Sequence, residues 1–325
     1  MRFAVLGAGA IGAYLGAALA RGGADVVLIA RGAHLDAMRR HGVHVLSPRG
    51  DFEAHPAATD DLGAVGGADC VVLGVKSYSL PELAPRISPL LAPDACVLPA
   101  QNGVPWWFLQ RFDGRLAGSV IETVDPGGTI TAAIAPERVV GCVPYPAAEI
   151  AEPGVIRHVE GTRFAIGEPD GATSERVRAI SQAFVAGGLK APVEERIRDQ
   201  LWLKLIGNVA FNPVTALTGA TLGELDRVPA MVELLRAVME EVASVGAALG
   251  IDLPVPIERR LEAGLAVGGH KTSMLQDLEA GKPLELGCMT GAVLELAYRL
   301  GVPVPHVETV HACTTLLDRL RRQRA

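Results

Sequence analysis

The segment "GAGAIG" constrains the fold of this chain more than any other feature of its sequence. It has the spacing G-x-G-x-x-G, follows an apolar run that predicts a strand over residues 3–6, and precedes an alanine-rich run that predicts a helix. In that setting the first glycine permits a tight turn, the second lets the backbone approach a pyrophosphate, and the third lets helix and strand pack closely. The residues of the expected dinucleotide site are Gly7, Ala8, Gly9, Ala10, Ile11 and Gly12.

The N-terminal stretch also has features of a secretory signal, namely one basic residue, an apolar stretch and a small-residue A-L-A. Its glycines would weaken the helix of such a signal, and the chain runs directly into a second strand-like segment, "ADVVLIAR". We therefore expect a folded strand and helix. No later segment has about 20 apolar residues without charge, so no transmembrane span is expected.

The second predicted strand, "ADVVLIAR", bears on the choice of cofactor. An NAD site usually places Asp or Glu at the end of this strand, where it accepts hydrogen bonds from the ribose hydroxyls. This chain has Arg31 there, and a guanidinium can pair with the 2′-phosphate of NADP. An ordinary solvated arginine is the alternative, but the missing acid favours NADP (NADPH).

Two more predicted strands end in polar residues. "ADCVVLGVK" leads to Lys76, and "ACVLPAQNG" leads to Asn102. Ligands of open parallel sheets bind along the carboxyl edge, so Lys76 could approach the adenosine phosphate or ribose, and Asn102 the nicotinamide. An exposed lysine and an ordinary Asn-Gly turn remain the simpler alternatives.

The periodicity of the chain predicts two domains, as its 325 residues exceed what one core usually holds. Short β-like runs over residues 119–166, starting with "SVIETV", read as closing strands of the same sheet. After Glu195 the pattern is helical almost throughout. We expect an α/β Rossmann-type NADP-binding domain over residues 1–193, followed by an all-α substrate and catalytic domain over residues 194–325.

One predicted helix, "LWLKLIGNVAFNP", carries Lys204, Asn208 and Asn212 in an otherwise apolar run that Pro213 is expected to end. The spacing i, i+4, i+8 places the three polar side chains along one face. The lysine could instead snorkel to water and the asparagines could cap neighbouring helices. A partly desolvated lysine can protonate a carbonyl oxygen during reduction, and amides can orient a substrate without adding charge.

Charge and cysteine usage exclude several classes of protein. The formal net charge of -6 argues against a nucleic-acid binder, and the basic end "RLRRQRA" is typical of a solvated helix end. The odd, dispersed cysteines contain no C-x-x-C pair, which suits a reducing, cytoplasmic setting. The C-terminal histidines lack metal-ligand spacing, so we expect no metal. The five cysteines are Cys70, Cys96, Cys142, Cys288 and Cys313.

Taken together, the motifs resemble the ketopantoate reductase family over nearly the whole chain. They are the glycine turn, the strand-end arginine, V-K-S, Q-N-G, "WLKLIGNVAFNPVTAL" and the later "HKTSMLQDLEAGKPLELGCMTGAV". The resemblance implies reduction of ketopantoate (2-dehydropantoate) to pantoate by NADPH, a step towards pantothenate and coenzyme A.

The resemblance also implies roles for individual residues. Lys204 would be the general acid, while Asn208 and Asn212 would hold the substrate and Ser273 its carboxylate end. Asn102 would touch both cofactor and substrate. Glu285 would contact the nicotinamide ribose and help arrange the site, with Arg31 and Lys76 at the adenosine phosphate. From sequence alone, Ser273 reads as a helix N-cap and Glu285 as a solvated charge.

The chain departs from the family pattern at several positions. Leu222 and Thr290 stand where the family commonly has Asn, and Gly287 where it has Asp. "NGVPWWFLQRF" adds Trp106 and Trp107 beside Asn102. These departures leave open a reductase of another 2-oxo acid; a non-catalytic NADP-binding sensor is disfavoured because binding alone needs none of the lysine–asparagine set. The sequence leaves a monomer or a homodimer open.

Overall fold

The computed structural model describes residues 1–324 and divides the chain into two compact units. The first unit contains Met1–Gln101, Gln110–Phe112 and Gly128–Ile197, and the second contains Asn102–Leu109, Asp113–Gly127 and the chain from Arg198 on. The strands are β1 (Arg2–Leu6), β2 (Asp25–Ile29), β3 (Val43–Leu46), β4 (Phe52–Ala54), β5 (Ala57–Thr59), β6 (Ala68–Leu73), β7 (Leu91–Pro99), β8 (Gly141–Pro144), β9 (Ala147–Glu152), β10 (Val155–Glu160) and β11 (Phe164–Gly167). The α-helices of the first unit are α1 (Ala10–Arg21), α2 (Gly32–His41), α3 (Leu80–Leu83), α4 (Thr129–Ala133) and α5 (Glu175–Ala186).

The main sheet of the first unit has five strands in the order β5-β2-β1-β6-β7, and every neighbouring pair is parallel. Val5 at its centre lies opposite Leu28 on one side and Val72 on the other. These three side chains are buried, as expected for a parallel sheet covered on both faces. The arrangement aligns the carboxyl ends of β1, β2 and β6 at one edge.

The strands after β7 form separate sheets, so their predicted place in the main sheet was wrong. Strands β4, β3, β10 and β9 form one sheet of mixed direction, and β8 pairs with β11 in a two-stranded antiparallel sheet. "SVIETV" is not a strand: the Glu295 carboxylate accepts the backbone N–H groups of Glu122 and Thr123, which a ladder would otherwise use.

The second unit is helical, which confirms the predicted order of an α/β part followed by an all-α part. Its α-helices are α6 (Ile197–Thr218), α7 (Leu222–Asp226), α8 (Pro229–Ala248), α9 (Ile257–Leu265), α10 (Ser273–Glu279), α11 (Ala292–Leu300) and α12 (Pro305–Arg324). A π-helical turn over Gly287–Gly291 leads into α11. Among the described residues, no helix is both long and apolar enough to cross a membrane.

Helix α6 continues through Pro213, so the predicted stop at this residue was wrong. A proline removes its own N–H donor and its ring crowds the carbonyl four residues earlier, but the turn after Pro213 is supported in other ways. The Thr215 hydroxyl donates to the Asn212 carbonyl, the Thr218 hydroxyl donates to the Val214 carbonyl, and Val214 is buried. Side-chain packing therefore outweighs the local helix-breaking tendency.

Two segments that the prediction placed in the first domain, residues 102–109 and 113–127, group with the helices instead. The Val104 N–H donates to the Cys288 carbonyl at 2.7 Å, and the Arg299 guanidinium donates to the Val120 carbonyl at 2.7 Å. The boundary between the first unit and the helices that follow falls at Ile197. The periodicity of the sequence predicted it slightly earlier, between residues 193 and 194. Contacts between residues about 180 positions apart are not visible in local periodicity.

Candidate active site

The glycine turn joins β1 to α1 in a conformation that needs its first and third glycines. Gly7 has a φ of +92°, and a Cβ there would lie 2.6 Å from the Val75 backbone nitrogen. A Cβ on Gly12 would lie 2.3 Å from the Gly7 carbonyl oxygen. The Gly7 and Ala8 N–H groups donate to the Ile29 carbonyl at 3.1 and 2.9 Å, so the turn is fixed to the end of β2.

The second glycine has a different environment. Apart from its chain neighbours, no atom of residues 1–324 lies within 4 Å of a Cβ built on Gly9, and Gly9 is the N-cap of α1. No side chain of the described residues caps that helix. The first-turn N–H groups and the helix dipole therefore face open space where an anion is favoured. The turn fits a dinucleotide pyrophosphate, with Ala8, Ala10 and Ile11 completing the loop.

Arg31 and Lys76 lie at the same edge of the parallel sheet as the turn. Arg31 is exposed, two residues beyond β2, and is the N-cap of α2. Lys76 is half-buried, three residues beyond β6 and next to Val75, which contacts Gly7. The first unit therefore brings the sequence-predicted cations and the glycine turn to one edge.

Sequence reasoning missed His34, which lies near the glycine turn. Its Nδ1 accepts the Gly154 N–H at 3.0 Å. Burial lowers the pKa of His34, and the nearby Ala8 backbone partly opposes this shift. With Nδ1 accepting, the neutral ring carries its proton on Nε2. A lone histidine inside a predicted helix gives no signal in the sequence that it bonds to the backbone of a distant glycine.

In the second unit, the Lys204 ammonium donates to Asn102 Oδ1 at 2.7 Å. Lys204 is half-buried on α6, and Asn102 lies on the loop after β7. The bond orients the amine relative to the Asn102 amide, and an ammonium group has three N–H donors in all. An ammonium group oriented by a neighbouring amide can act as a proton donor in carbonyl reduction.

The remaining members of the polar line differ in exposure. Asn208 is half-buried, one turn beyond Lys204, whereas Asn212 is only 5% exposed. The Asn212 amide lies 3.7 Å from the Met289 sulfur, a weak acceptor. The structure therefore brings Lys204 and Asn208 together on an accessible face and places Asn212 deeper, against the π-helical turn.

Glu285 is only 7% exposed, so the simpler sequence interpretation of a solvated charge was wrong. The Cys288 thiol lies 3.6 Å from both the Glu285 and the Asn102 carbonyl oxygens, which ties the two loops together. Gly103 contributes to the close approach: its φ is +84°, and a Cβ would lie 2.5 Å from the Cys288 oxygen. The residue predicted to contact the nicotinamide ribose is thus in the same loop cluster as the lysine's partner.

Ser273 is the first residue of α10, but Thr272 rather than Ser273 is its N-cap. The Thr272 hydroxyl accepts the Leu275 N–H and lies 2.6 Å from the Thr215 hydroxyl on α6. Ser273 is half-buried and its hydroxyl is not needed for capping. The sequence predicted the start of the helix but missed the Thr215–Thr272 pair, because the two residues lie in different helices.

The departures from the family pattern have local explanations. A Cβ on Gly287 would lie 2.9 Å from the Thr123 carbonyl oxygen, so an aspartate would require this contact to open. The Thr290 hydroxyl is buried and lies 2.7 Å from His311 Nδ1. Leu222 is a buried residue of α7.

The tryptophan pair is part of the helical core. Trp106 and Trp107 are each 1% exposed, and the Arg198 guanidinium lies 5.5 Å from the Trp107 ring centre. Arg198 also donates to the Phe108 carbonyl at 2.7 Å. The buried aromatic segment therefore anchors the loop that carries Asn102 in the core of the second unit.

A glycine turn at the edge of a parallel sheet in the first unit, and a lysine–amide cluster in the second, are the features expected of a dinucleotide-dependent oxidoreductase. Comparisons with known proteins identify the family. The family model for ketopantoate reductase PanE/ApbA matches residues 3–171, and its C-terminal counterpart matches residues 196–318. This chain belongs to the ketopantoate reductase family and is an NAD(P)-dependent oxidoreductase.

Individual relatives cover the whole chain. The 2-dehydropantoate 2-reductase of Mesorhizobium japonicum is 43% identical over 325 residues, which is 100% of this chain and 99% of the relative. The crystal structure of a PanE/ApbA family ketopantoate reductase from Ralstonia eutropha matches with a TM-score of 0.85 at 31% identity, covering 99% and 100% of the two chains. A D-mandelate dehydrogenase solved with NADH and anilino(oxo)acetate shares the fold, with a TM-score of 0.84 at 19% identity and coverage of 99% and 100%.

Proposed function

We propose that this enzyme is a 2-dehydropantoate 2-reductase that converts ketopantoate to pantoate with NADPH. The observation that carries the proposal is the 2.7 Å hydrogen bond from Lys204 to Asn102, which holds an ammonium group on a half-buried helix face beside Asn208. The full-length similarity to the Mesorhizobium japonicum enzyme supports the substrate.

NADPH, when bound, supplies the hydride for the 2-oxo carbon. Lys204 donates a proton to the carbonyl oxygen, so the oxygen becomes a hydroxyl as the carbon gains its hydrogen. Asn102 orients the lysine through its Oδ1. Asn208 and Ser273 hold the hydroxyl and carboxylate ends of the substrate without adding charge, and Asn212 completes this set from its deeper position. Glu285 would accept a hydrogen bond from the nicotinamide ribose, and its loop is held to Asn102 through Cys288.

Arg31 supports the preference for NADPH over NADH. It lies just beyond the end of β2, where an NAD-specific site would place a carboxylate for the ribose hydroxyls. Its exposed guanidinium can pair with the 2′-phosphate, and Lys76, three residues beyond β6 on the other side of β1, adds a second positive charge.

The decisive experiment measures NADPH oxidation with ketopantoate and with a panel of other 2-oxo acids, including phenylglyoxylate. We expect kcat/KM for ketopantoate to exceed that of every other substrate by about tenfold or more, since misplaced buried polar groups are costly. Comparable rates on several acids would refute the named substrate, and NADPH binding without turnover on any acid would favour a sensor. The cytoplasmic location and the monomeric or homodimeric state remain predictions, the latter open to light scattering.

A further inference from the structure

The first unit contains a cavity that lies apart from the glycine turn. It encloses about 210 Å³ between α1, the turn joining β3 to β4, and the end of α5. Its polar lining comes chiefly from Tyr14, Arg21, Ser47, Arg49 and Thr162. None of the residues of the glycine turn, nor Arg31 or Lys76, lines it.

Two guanidinium groups at this cavity have no carboxylate partner among residues 1–324. Arg21 instead lies over the Phe52 ring, 4.8 Å from its centre, and Arg49 is exposed in the β3–β4 turn. Nearby carboxylates are engaged elsewhere. Asp25 pairs with Arg2, Glu53 pairs with His44 and His55, and Asp51 accepts the Ser47 backbone N–H. The lining of the cavity itself therefore contains two guanidinium groups and no carboxylate.

The Tyr14 hydroxyl adds a buried donor to these cations. Tyr14 is 4% exposed, lines the cavity, and makes no hydrogen bond to another described residue. Burial raises the pKa of Tyr14, whereas the positive charges of Arg49 and Arg21 lower it. The protonated hydroxyl is thus a donor near both guanidiniums. Thr162, 8% exposed, contributes a second hydroxyl to the lining.

The surrounding residues hold Tyr14 in place. The His158 ring stacks on Tyr14, with 4.5 Å between ring centres and planes 10° apart. His158 Nε2 lies 2.5 Å from the Gly161 carbonyl, so it donates there and Nδ1 accepts from the Ser47 hydroxyl at 2.9 Å. The Ser47 oxygen in turn accepts the Arg49 backbone N–H. Tyr14 and the Arg49 turn therefore belong to one network.

We propose that this cavity binds a phosphate group, held by the Arg21 and Arg49 guanidiniums and by the Tyr14 hydroxyl. Two fixed positive charges match a dianion, and guanidinium geometry suits phosphate oxygens. The volume accommodates free phosphate or the phosphomonoester end of a small metabolite. The site is separate from the proposed cofactor site, so it does not depend on the function proposed above.

Calorimetric titration of the full chain tests the proposal with inorganic phosphate, glycerol 3-phosphate and acetate at matched ionic strength, since salt screens such contacts. We expect both phosphates to bind and acetate to bind at least about tenfold more weakly. Tighter binding of glycerol 3-phosphate identifies a phosphomonoester as the ligand, and tighter binding of inorganic phosphate identifies the free ion. Equal binding of acetate, or no binding of either phosphate, overturns the proposal.

Variants at the cavity and elsewhere on the surface show where the phosphate binds. Arg49→Gln and Tyr14→Phe should each weaken phosphate binding about tenfold or more, the scale of one hydrogen bond to a charged group. Tyr14→Phe keeps the ring stacked on His158, and unfolding curves without phosphate confirm that each variant is folded. Arg40→Gln, an exposed arginine on α2, should bind like the original chain, and so should Arg31→Ala. Loss of binding in Arg31→Ala with retention in Tyr14→Phe would place the phosphate at the cofactor site and refute the inference.

Discussion

Lys204, Asn208 and Asn212 were recognisable in the sequence because they are the polar members of one apolar helix. What the spacing could not show is their unequal surroundings. Lys204 donates to Asn102, 102 positions earlier in the chain, while Asn212 lies against Met289. Thr272 caps α10 where the sequence pointed to Ser273. Helical spacing predicts which residues share a face, but partners from other elements decide what each residue contacts.

Replacing Lys204 with alanine should lower kcat by about 10²–10⁴-fold, the usual contribution of a positioned acid. The Kd for NADPH should change little, because the proposed cofactor contacts lie elsewhere. Steady-state kinetics and fluorescence titration of NADPH measure the two quantities. Lys271→Ala is the matched control, since that exposed lysine pairs with Glu279 on the surface. Turnover of Lys204→Ala close to that of the control would remove Lys204 from the role of acid.

At the scale of elements, the turn between β1 and α1 was predictable in detail, because a side chain at each of its three glycines would either clash or fill the space expected for the cofactor. Gly12 lies against the Gly7 carbonyl, and Gly9 borders open space. The small mixed sheet was not predictable, because its strand β10 pairs with β3, which lies more than 100 positions earlier in the chain. The pairing partners of short strands are decided by tertiary structure, so the local sequence pattern does not predict which strands pair.

The two glycines allow a paired test. Gly12→Ala should lower the free energy of unfolding by about 1–3 kcal/mol, because its methyl group meets a backbone oxygen. Gly9→Ala should change stability by less than about 1 kcal/mol but weaken NADPH binding about tenfold or more, because the methyl occupies the space expected for pyrophosphate. Denaturant unfolding and NADPH titration measure these effects. Unchanged NADPH affinity in Gly9→Ala would contradict the pyrophosphate position.

The contact between the π-helical turn and α12 makes stability depend on pH. The Thr290 hydroxyl lies 2.7 Å from His311 Nδ1, and burial lowers the pKa of His311 from its usual 6.5. The unfolded chain therefore binds a proton more readily than the folded one between the two pKa values. This contribution to stability is complete above pH 6.5 and is lost as the pH falls through the folded pKa. The pKa of His34 is also lowered by burial, so its contribution to stability is lost in the same way as the pH falls.

We expect the unfolding temperature to drop by a few degrees as the pH falls from neutrality through this range. His311→Asn keeps an acceptor for Thr290 but removes the titration, so its unfolding temperature should fall less over the same range. Scanning calorimetry at several pH values measures the effect, with the exposed His41→Asn as control. An identical pH dependence in all three chains would show that His311 does not contribute.

For the whole molecule, the order of an α/β part and a helical part followed from the change of periodicity near residue 195. The sequence could not assign residues 102–127, because their backbone bonds go to Cys288, Glu295 and Arg299. Such bonds join positions that no window of sequence contains together. The proposed catalytic unit consequently includes a loop that the sequence order would assign to the cofactor domain.

Cofactor binding should stabilise the folded chain by mass action, by about 2.7 kcal/mol at a hundred times Kd. NADPH should raise the unfolding temperature more than NADH at equal concentration, because only NADPH presents a 2′-phosphate to Arg31. In Arg31→Ala the two cofactors should become nearly equal, whereas Arg40→Ala should keep the difference. Equal stabilisation of the original chain by NADPH and NADH would refute the preference for NADPH.

The aromatic segment that follows Asn102 also has a consequence for synthesis of the chain. Trp106, Trp107 and Phe108 leave the ribosome well before Arg198, which lies 90 positions beyond Phe108 and bonds to its carbonyl. At about 5–20 residues per second, this apolar segment waits roughly 5–20 s for its packing partner. During that interval the nascent chain exposes a strongly hydrophobic segment whose packing partner is not yet synthesised. Chaperones bind segments of this kind.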